Sequence, residues 1–241
     1  MLSKNQVKLI TSLHQKKYRN QHGLFIVEGP KALDEFLNSK FKCQFLFCTD
    51  DFLKSKFVEN TIIISDNELK KISALKNPNK AIGVFKIPDQ EPFKSEGLIL
   101  TLDEVSDPGN LGTIIRLCDW FGVEQIICSS NTVDCYNPKV VQASMGSLTR
   151  VSLIYTDLRD YLTKTDMPIY GALMQGENIY EVKLPSKAIL VMGNEANGIS
   201  KDIIELIRQK ITIPSFGKFQ QIESLNVATA TAILLNEFRR V

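Results

Sequence analysis

The chain has no apolar stretch approaching the roughly 20 residues that a membrane-spanning helix requires, and its opening, Met1-Leu2-Ser3-Lys4-Asn5-Gln6, lacks the apolar core of a secretory leader. Glycine (13) and proline (9) are too few for a collagen-like or low-complexity chain. The five cysteines, Cys43, Cys48, Cys118, Cys128 and Cys135, are odd in number, scattered, and never spaced C-x-x-C. Neither a structural zinc site nor a disulfide framework is therefore expected, and a reduced, cytoplasmic setting is the simplest expectation. What is present is an ordinary globular composition, 44% apolar and 23% charged over 241 residues, enough for one large domain or two small ones.

The formal net charge of +2 conceals an asymmetry. Residues 1–96 carry 16 Lys and Arg against 11 Asp and Glu, and residues 97–241 carry 13 against 16. Within the basic part, residues 1–27 hold Lys4, Lys8, Lys16, Lys17 and Arg19 with no acid. Such a front end suits a phosphate-bearing partner as well as it suits a solvated amphipathic helix.

Strands and helices alternate along the chain. A short N-terminal helix bears Val7, Leu9, Ile10 and Leu13, and the Lys16-Lys17-Tyr18-Arg19 cluster is expected to end it. Strands are expected at Leu24–Val27, Cys43–Cys48, Thr61–Ile64 and Ala81–Ile87. Helices are expected to start at Pro30 and after the capping box Ser65-Asp66-Asn67-Glu68. The proline-punctuated stretch Ile87–Lys94 reads as a linker. Beyond it, strands are expected at Gly97–Leu102, Gln125–Cys128, Val151–Tyr155, Pro168–Leu173, Ala188–Met192 and Ile211–Ile213. Helices are expected at Gly109–Phe121, Asp157–Leu162, Ile199–Gln209 and Ser224–Arg240. The pattern predicts an α/β protein with a largely parallel sheet.

Three junctions in the second half hold more polar and glycine residues than turns require. The first, Asp103 to Gly112, runs into a helix. Asn110 sits near the start of that helix, and Arg116 lies under two turns further along, able to point back to the same mouth. The second, Val191-Met192-Gly193-Asn194-Glu195-Ala196-Asn197-Gly198-Ile199-Ser200, has the spacing of a phosphate-binding P-loop, but Ile199 replaces the lysine, so nucleotide hydrolysis is not expected. No G-x-G-x-x-G is present, which argues against a dinucleotide-dependent oxidoreductase. What remains is a glycine loop that lets backbone approach a ligand, with Glu195 facing the crevice. The third junction runs from Ile211 to Gly217 and resumes at Glu223-Ser224-Leu225-Asn226-Val227. Ser224 is the expected N-cap of the last helix and Asn226 is expected in its first turn. The only histidines, His14 and His22, lie in the basic N-terminal segment, so no serine–histidine–acid set is available.

In this order, N-x-G-x-x-x-R at Asn110–Arg116, L-V-M-G-N-E-x-x-G-I-S at Leu190–Ser200 and I-P…E-S-L-N-V at Ile213–Val227 resemble the three motifs of the SpoU (TrmH-like) RNA ribose 2′-O-methyltransferases of the SPOUT class. The resemblance spans about residues 98–241. Residues 1–90, with Phe25-Ile26-Val27-Glu28-Gly29, resemble the small α/β substrate-binding domain that often precedes it. The resemblance implies an α/β-knot fold with a mostly parallel sheet, a deep C-terminal trefoil knot, and a homodimer whose active site forms near the subunit interface. It implies S-adenosylmethionine held by the backbone of Gly193, Ile213 and Leu225, with Ala172 and Leu173 on a neighbouring loop. Asn110, Arg116, Glu195, Ser224 and Asn226 match the polar catalytic set. General rules of chain connection would never have suggested the knot.

Two departures stand out. The connection Lys218–Ile222 is longer than in the family's usual motif, and Ala228 follows Asn226-Val227 where a serine is common. For the substrate, Lys16, Lys17 and Arg19 around Tyr18 supply cations for phosphates and a ring for stacking. The separate front domain resembles the ribosomal-RNA branch more than the compact tRNA branch. The expected activity is therefore 2′-O-methylation of rRNA, with tRNA methylation and a non-catalytic RNA-binding protein as alternatives.

Overall fold

Local capping chemistry sets the first helices. Ser3 and Gln6 form a reciprocal capping box for α1 (Lys4–Ser12), and Ser65 and Glu68 form the predicted one for α4 (Asp66–Ile72). Between these lie α2 (Lys16–His22), β1 (Leu24–Glu28), α3 (Pro30–Leu37), β2 (Cys43–Cys48) and β3 (Thr61–Ile63), and β4 (Ala81–Lys86) follows. The computed structural model describes residues 2–50, 52, 59–217 and 224–240. The cationic cluster expected to end the first helix instead forms α2, closed by Gly23 in the left-handed region at φ 62°.

The chain divides into two compact units, Met1–Asp89 with Asp134–Thr149, and Gln90–Val133 with Arg150–Val241. In the first, the strand order is β1-β4-β2-β3. Here β4 runs antiparallel to both its neighbours and only β2 and β3 are parallel, so the parallel expectation fails for this sheet. Ile10, Leu13, Leu69 and Ile72 pack on one face of the sheet against Ile26, Phe47, Ile82 and Val84. Alternation puts Phe25 on the opposite face, where it meets Phe36 at 5.7 Å between centroids and Tyr136 at 4.6 Å. Tyr136 belongs to the stretch Asp134–Thr149, whose helix α6 (Pro138–Ala143) packs against β1. That helix was not expected from the sequence.

The second unit contains β5 (Leu98–Leu102), α5 (Pro108–Trp120), β6 (Gln125–Ser129), β7 (Ser152–Thr156), α7 (Leu158–Thr163), β8 (Ile169–Asn178), β9 (Ala188–Met192), α8 (Lys201–Ile204), β10 (Gln209–Thr212) and α9 (Val227–Arg239). Its sheet is parallel throughout, in the order β10-β8-β9-β5-β6-β7. β5 and β9 are buried along their whole length, which is why they read as unbroken apolar runs. Strand order reverses beside β5, the place where open parallel sheets bind ligands at their carboxyl edge.

Three elements differ from expectation. β8 extends to Asn178, but its ladder with β10 passes from Gly171↔Lys210 to Glu177↔Ile211, so Ala172–Gly176 leave the ladder. α8 is a single short turn because Ser200 is extended and Ile199 and Ile207 turn into the core. α9 begins at Val227 because Asn226, not Ser224, is its N-cap.

Candidate active site

The site is built at the carboxyl ends of β5 and β9. After β5, Glu104 takes a left-handed conformation at φ 59°, a costly one for a residue other than glycine. Its surroundings hold it there: its amide donates to Ser129 Oγ at 2.9 Å and its carboxylate accepts from Asn131 Nδ2 at 2.7 Å. Asp107 then caps α5, its Oδ1 accepting from the Asn110 amide at 2.8 Å, with Pro108 in the first turn.

The loop after β9 is equally determined. Asn194 and Gly198 exchange backbone hydrogen bonds of 2.9 Å in both directions, and Gly198 sits at φ 69°. Gly193 runs so close beneath this turn that a Cβ would stand 2.2 Å from the Gly198 carbonyl carbon, so only glycine fits. Asn194 Oδ1 accepts from the amides of Ala196 and Asn197, and its Nδ2 donates to the Glu104 carbonyl at 2.7 Å. The Ser200 amide donates to Oδ2 of the buried Asp103 at 2.7 Å.

Glu195 joins the two loops. Its Oε2 accepts from the amide and hydroxyl of Ser106, both at 3.2 Å, and its Oε1 accepts from the Asp107 amide at 3.1 Å and from Asn110 Nδ2 at 3.0 Å. Asn110 Oδ1 in turn accepts from Asn226 Nδ2 at 2.9 Å, and Asn226 Oδ1 accepts from the Ala228 and Thr229 amides at 3.0 and 3.2 Å. Three of the five residues in the expected polar set thus form one hydrogen-bonded chain, Glu195–Asn110–Asn226. Asn226 is the cap of α9 rather than a first-turn residue, which accounts for an asparagine at that point.

Partial burial pushes the Glu195 carboxyl up, but the bonds from Asn110, Ser106 and Asp107 outweigh it and hold the group below its ordinary 4.5. The folded state therefore favours the charged form. Its stabilising contribution is complete above the unfolded-state value and is lost as pH falls through the lower folded-state one. Glu195→Gln replaces one acceptor oxygen with a donor facing donors, and should cost about 1–2 kcal/mol. A carboxyl 13C titration is expected to place the Glu195 midpoint below that of exposed glutamates, and a midpoint at or above theirs would refute the clamp.

The remaining expected residues are more open. Arg116 is exposed on α5, and among the described residues no hydrogen bond or ion pair holds its guanidinium. Ser224 and Leu225 are exposed ahead of α9, and Ser224 is not its cap. Ile213 is half-buried just past β10. Ala172 and Leu173, also half-buried, open the stretch that leaves the β8–β10 ladder, so their backbone groups are not committed to that ladder. The long connection 218–222 lies outside the described residues. Sequence reasoning missed Asp103, Ser106, Asp107 and Asn194 as the partners that fix the loops. An Asp-Pro pair, a cap followed by a first-turn proline, was the available signal for Asp107.

In the first unit, Lys16 and Lys17 are exposed, with the Lys17 ammonium 5.8 Å from the centre of the Tyr18 ring. Arg19 is the exception: only 2% of it is exposed. Its Nη1 donates to the carbonyls of Leu13 and His14 at 2.9 and 3.0 Å, and its Nε and Nη2 donate to Asp134 Oδ2 at 2.9 and 2.5 Å. The expectation that Arg19 meets a nucleic acid is corrected, because the side chain is buried and four of its five N–H donors are engaged inside the unit. His14 also turns inward: its Nε2 is buried, with no hydrogen-bond partner among the described residues.

The sequence model described as the SpoU rRNA Methylase family matches residues 97–236, and that of the MRM3-like substrate binding domain matches residues 4–83. The chain is similar to the 23S rRNA (guanosine(2553)-2′-O)-methyltransferase RlmP of Bacillus subtilis, 30% identical over 98% of this chain and 97% of that protein. Among solved structures, it resembles a TrmH-family protein from Porphyromonas gingivalis with a TM-score of 0.92 and 40% identity, covering 99% of this chain and 98% of the other. It also resembles an AdoMet-bound rRNA methyltransferase from Sinorhizobium meliloti with a TM-score of 0.88 and 28% identity, covering 99% and 95%.

Proposed function

The chain belongs to the SpoU rRNA methylase family, and from that premise we propose that it transfers the methyl group of S-adenosylmethionine to a ribose 2′-hydroxyl of ribosomal RNA. The observation that carries this reading is the chain Glu195–Asn110–Asn226 across the reversal of strand order, with Arg116, exposed and unpaired among the described residues, on the same helix as Asn110. A protein that only bound RNA would have little use for polar groups fixed so closely at the edge where parallel sheets hold ligands.

The residues present fit the cofactor. In the loop from Gly193 to Gly198 the exposed Gly198 leaves open space where a side chain would stand, and Ala172–Gly176 leave backbone donors and acceptors outside the β8–β10 ladder. The backbone of Gly193, Ile213 and Leu225 would hold it, with Ala172 and Leu173 alongside. When bound, S-adenosylmethionine supplies a methyl group on a sulfonium, already a good leaving group. What the protein must add is alignment of the 2′-oxygen and help in removing its proton, and positioning of this kind supplies several kcal/mol of the barrier. Arg116 orients an RNA phosphate and stabilises charge developing on the ribose oxygen, while a phosphate or water accepts the proton. Guanidinium groups do not deprotonate in proteins, so Arg116 is not the base. Glu195 keeps Asn110 aimed, and Ser224 and Asn226 border the reacting ribose.

The reading extends to the whole chain. Residues 1–90 are assigned to RNA seating, with Lys16 and Lys17 exposed, and residues 98–241 to methyl transfer, the stretch Asp134–Thr149 being folded into the first compact unit. A deep C-terminal trefoil knot is part of this reading, carried by membership of the family. A homodimer, with the active site near the subunit interface, would sediment near twice the 27.2 kDa chain mass. No described helix is long and apolar enough to cross a membrane, in keeping with a cytoplasmic enzyme acting on RNA.

The test incubates tritiated S-adenosylmethionine and the protein with total RNA from a strain lacking the gene, then maps the label by nuclease digestion. Label in a 2′-O-methylated nucleotide of large-subunit rRNA is the expected result. Label confined to tRNA would replace the substrate and keep the enzyme. Absence of label in free RNA and in ribosomal particles, with cofactor bound, would leave a non-catalytic RNA-binding protein.

A further inference from the structure

Three side chains of the turn after β6 stand outside every motif of the site, yet they converge on the residues that lead into it. The hydroxyl of Thr132, a residue only 1% exposed, donates to the Leu102 carbonyl at 3.1 Å. That uses its single proton, so in the 3.0 Å contact with Ser129 Oγ it is Ser129 that donates. The Ser129 oxygen then accepts from the Glu104 amide at 2.9 Å, and Asn131 Nδ2 donates to Glu104 Oε1 at 2.7 Å. The Val133 amide completes the grip by donating to the Val105 carbonyl at 2.9 Å.

Glu104 lies at the centre of this grip. Its amide and carboxylate are held by the turn, and its carbonyl accepts from Asn194 Nδ2 at 2.7 Å. A φ of 59° at a glutamate persists only where the surroundings over-determine it. What that conformation accomplishes is directional, because the next two amides, of Ser106 and Asp107, both point at the Glu195 carboxylate. A backbone that relaxed at Glu104 would re-aim both.

We propose that Ser129, Asn131 and Thr132 are positioning residues for methyl transfer, a clasp that holds Glu104 in its left-handed turn and thereby fixes Glu195 and Asn110 for the substrate. The proposal rests on the function given above and adds residues to it. A purely structural role would suit Thr132, whose hydroxyl satisfies a buried carbonyl at the end of β5. It does not suit Asn131, which is exposed and bonds a carboxylate that water would otherwise solvate. The consequence of that bond is the conformation of Glu104.

Asn131→Ala should therefore leave the thermal midpoint of the full-length protein unchanged and lower kcat about 5- to 50-fold, as small misplacements of reacting groups do. KM for RNA and for S-adenosylmethionine should stay within about twofold. Thr132→Val keeps the volume and should lose kcat similarly, whereas Thr132→Ser returns the hydroxyl and should recover most of it. A second readout needs no activity: the Glu195 midpoint in a carboxyl 13C titration should rise toward that of exposed glutamates in Asn131→Ala and Thr132→Val, and return in Thr132→Ser. In Glu104→Gly the clasp has lost its object, so adding Asn131→Ala should lower kcat no further. Circular dichroism checks folding, and if Thr132→Val unfolds, Asn131→Ala decides. The proposal is overturned if Asn131→Ala keeps the parent's kcat, if kcat falls while the Glu195 midpoint stays put, or if the Glu104→Gly and Asn131→Ala losses simply multiply. A parent protein that methylates no RNA would instead sink the enzymatic reading, and the Glu195 midpoint would still test the clasp.

Discussion

Arg116→Ala is expected to lower kcat/KM for methyl transfer by about 10²- to 10³-fold, the usual loss when a preorganised group that meets developing charge is removed. Its affinity for S-adenosylmethionine and its thermal midpoint should match the parent's. The physical reason lies in what Arg116 does not do in the folded chain: it is exposed, and among the described residues its removal breaks no hydrogen bond or ion pair. Loss of activity without loss of stability is the signature of a group kept for the substrate. Arg116→Lys refines the point, because lysine keeps the charge and discards the planar fork that grips phosphate with two parallel bonds. A loss of tenfold or more is expected for it. Near-full turnover in Arg116→Lys would show that charge alone suffices and that the orienting role is wrong.

The contrast between Arg116 and Arg19 shows where sequence reading succeeds and where it stops. Both are cations near a helix, and composition reports only their sign. The parallel sheet was legible because β5 and β9 are buried on both faces, and continuous apolar runs such as Ala188–Met192 have few other uses in a chain of this kind. The glycine loop was legible because Gly193 and Gly198 occupy positions that tolerate no side chain or favour a left-handed backbone. The partners of Glu195 were not, since Ser106 and Asp107 lie 89 and 88 residues away and nothing local marks the meeting. Asn226 was misplaced in the last helix because Ser224, two residues earlier, has the same capping chemistry, and only the geometry decides between them. Helix α6 escaped notice because six residues give too little periodicity to detect. Arg19 looked like part of a solvated cluster because Lys16 and Lys17 beside it are one.

Arg19→Ala should destabilise the first unit by about 3–5 kcal/mol, the cost of leaving one member of a buried ion pair alone. Against the 5–15 kcal/mol that holds a typical domain together, such a loss is a large fraction. Two liabilities arise together. The carbonyls of Leu13 and His14 lose their donor, and Asp134, whose Oδ1 also accepts from the Tyr136 amide at 3.0 Å, is left without its countercharge. Asp134 begins the stretch that puts Tyr136 on Phe25 and α6 on β1, so the damage should reach the aromatic face of the sheet. Asp134→Ala should cost a similar amount by stranding the guanidinium. A variant that replaces both by leucine should recover much of the loss, because exchanging a whole buried pair for apolar side chains removes the desolvation penalty along with the attraction. Hydrogen exchange resolved by segment distinguishes this from a general effect. Protection should fall in Phe25, Ile26 and Val27 of β1 and persist in Ile189 and Leu190 of β9. Lys16→Ala and Lys17→Ala, exposed on the same helix, should leave that protection intact and instead weaken RNA binding and flatten its salt dependence. If Arg19→Ala proved as stable as the parent and lost only RNA affinity, Arg19 would belong with its lysine neighbours after all, and the buried pair would not be what holds Asp134–Thr149 in the first unit.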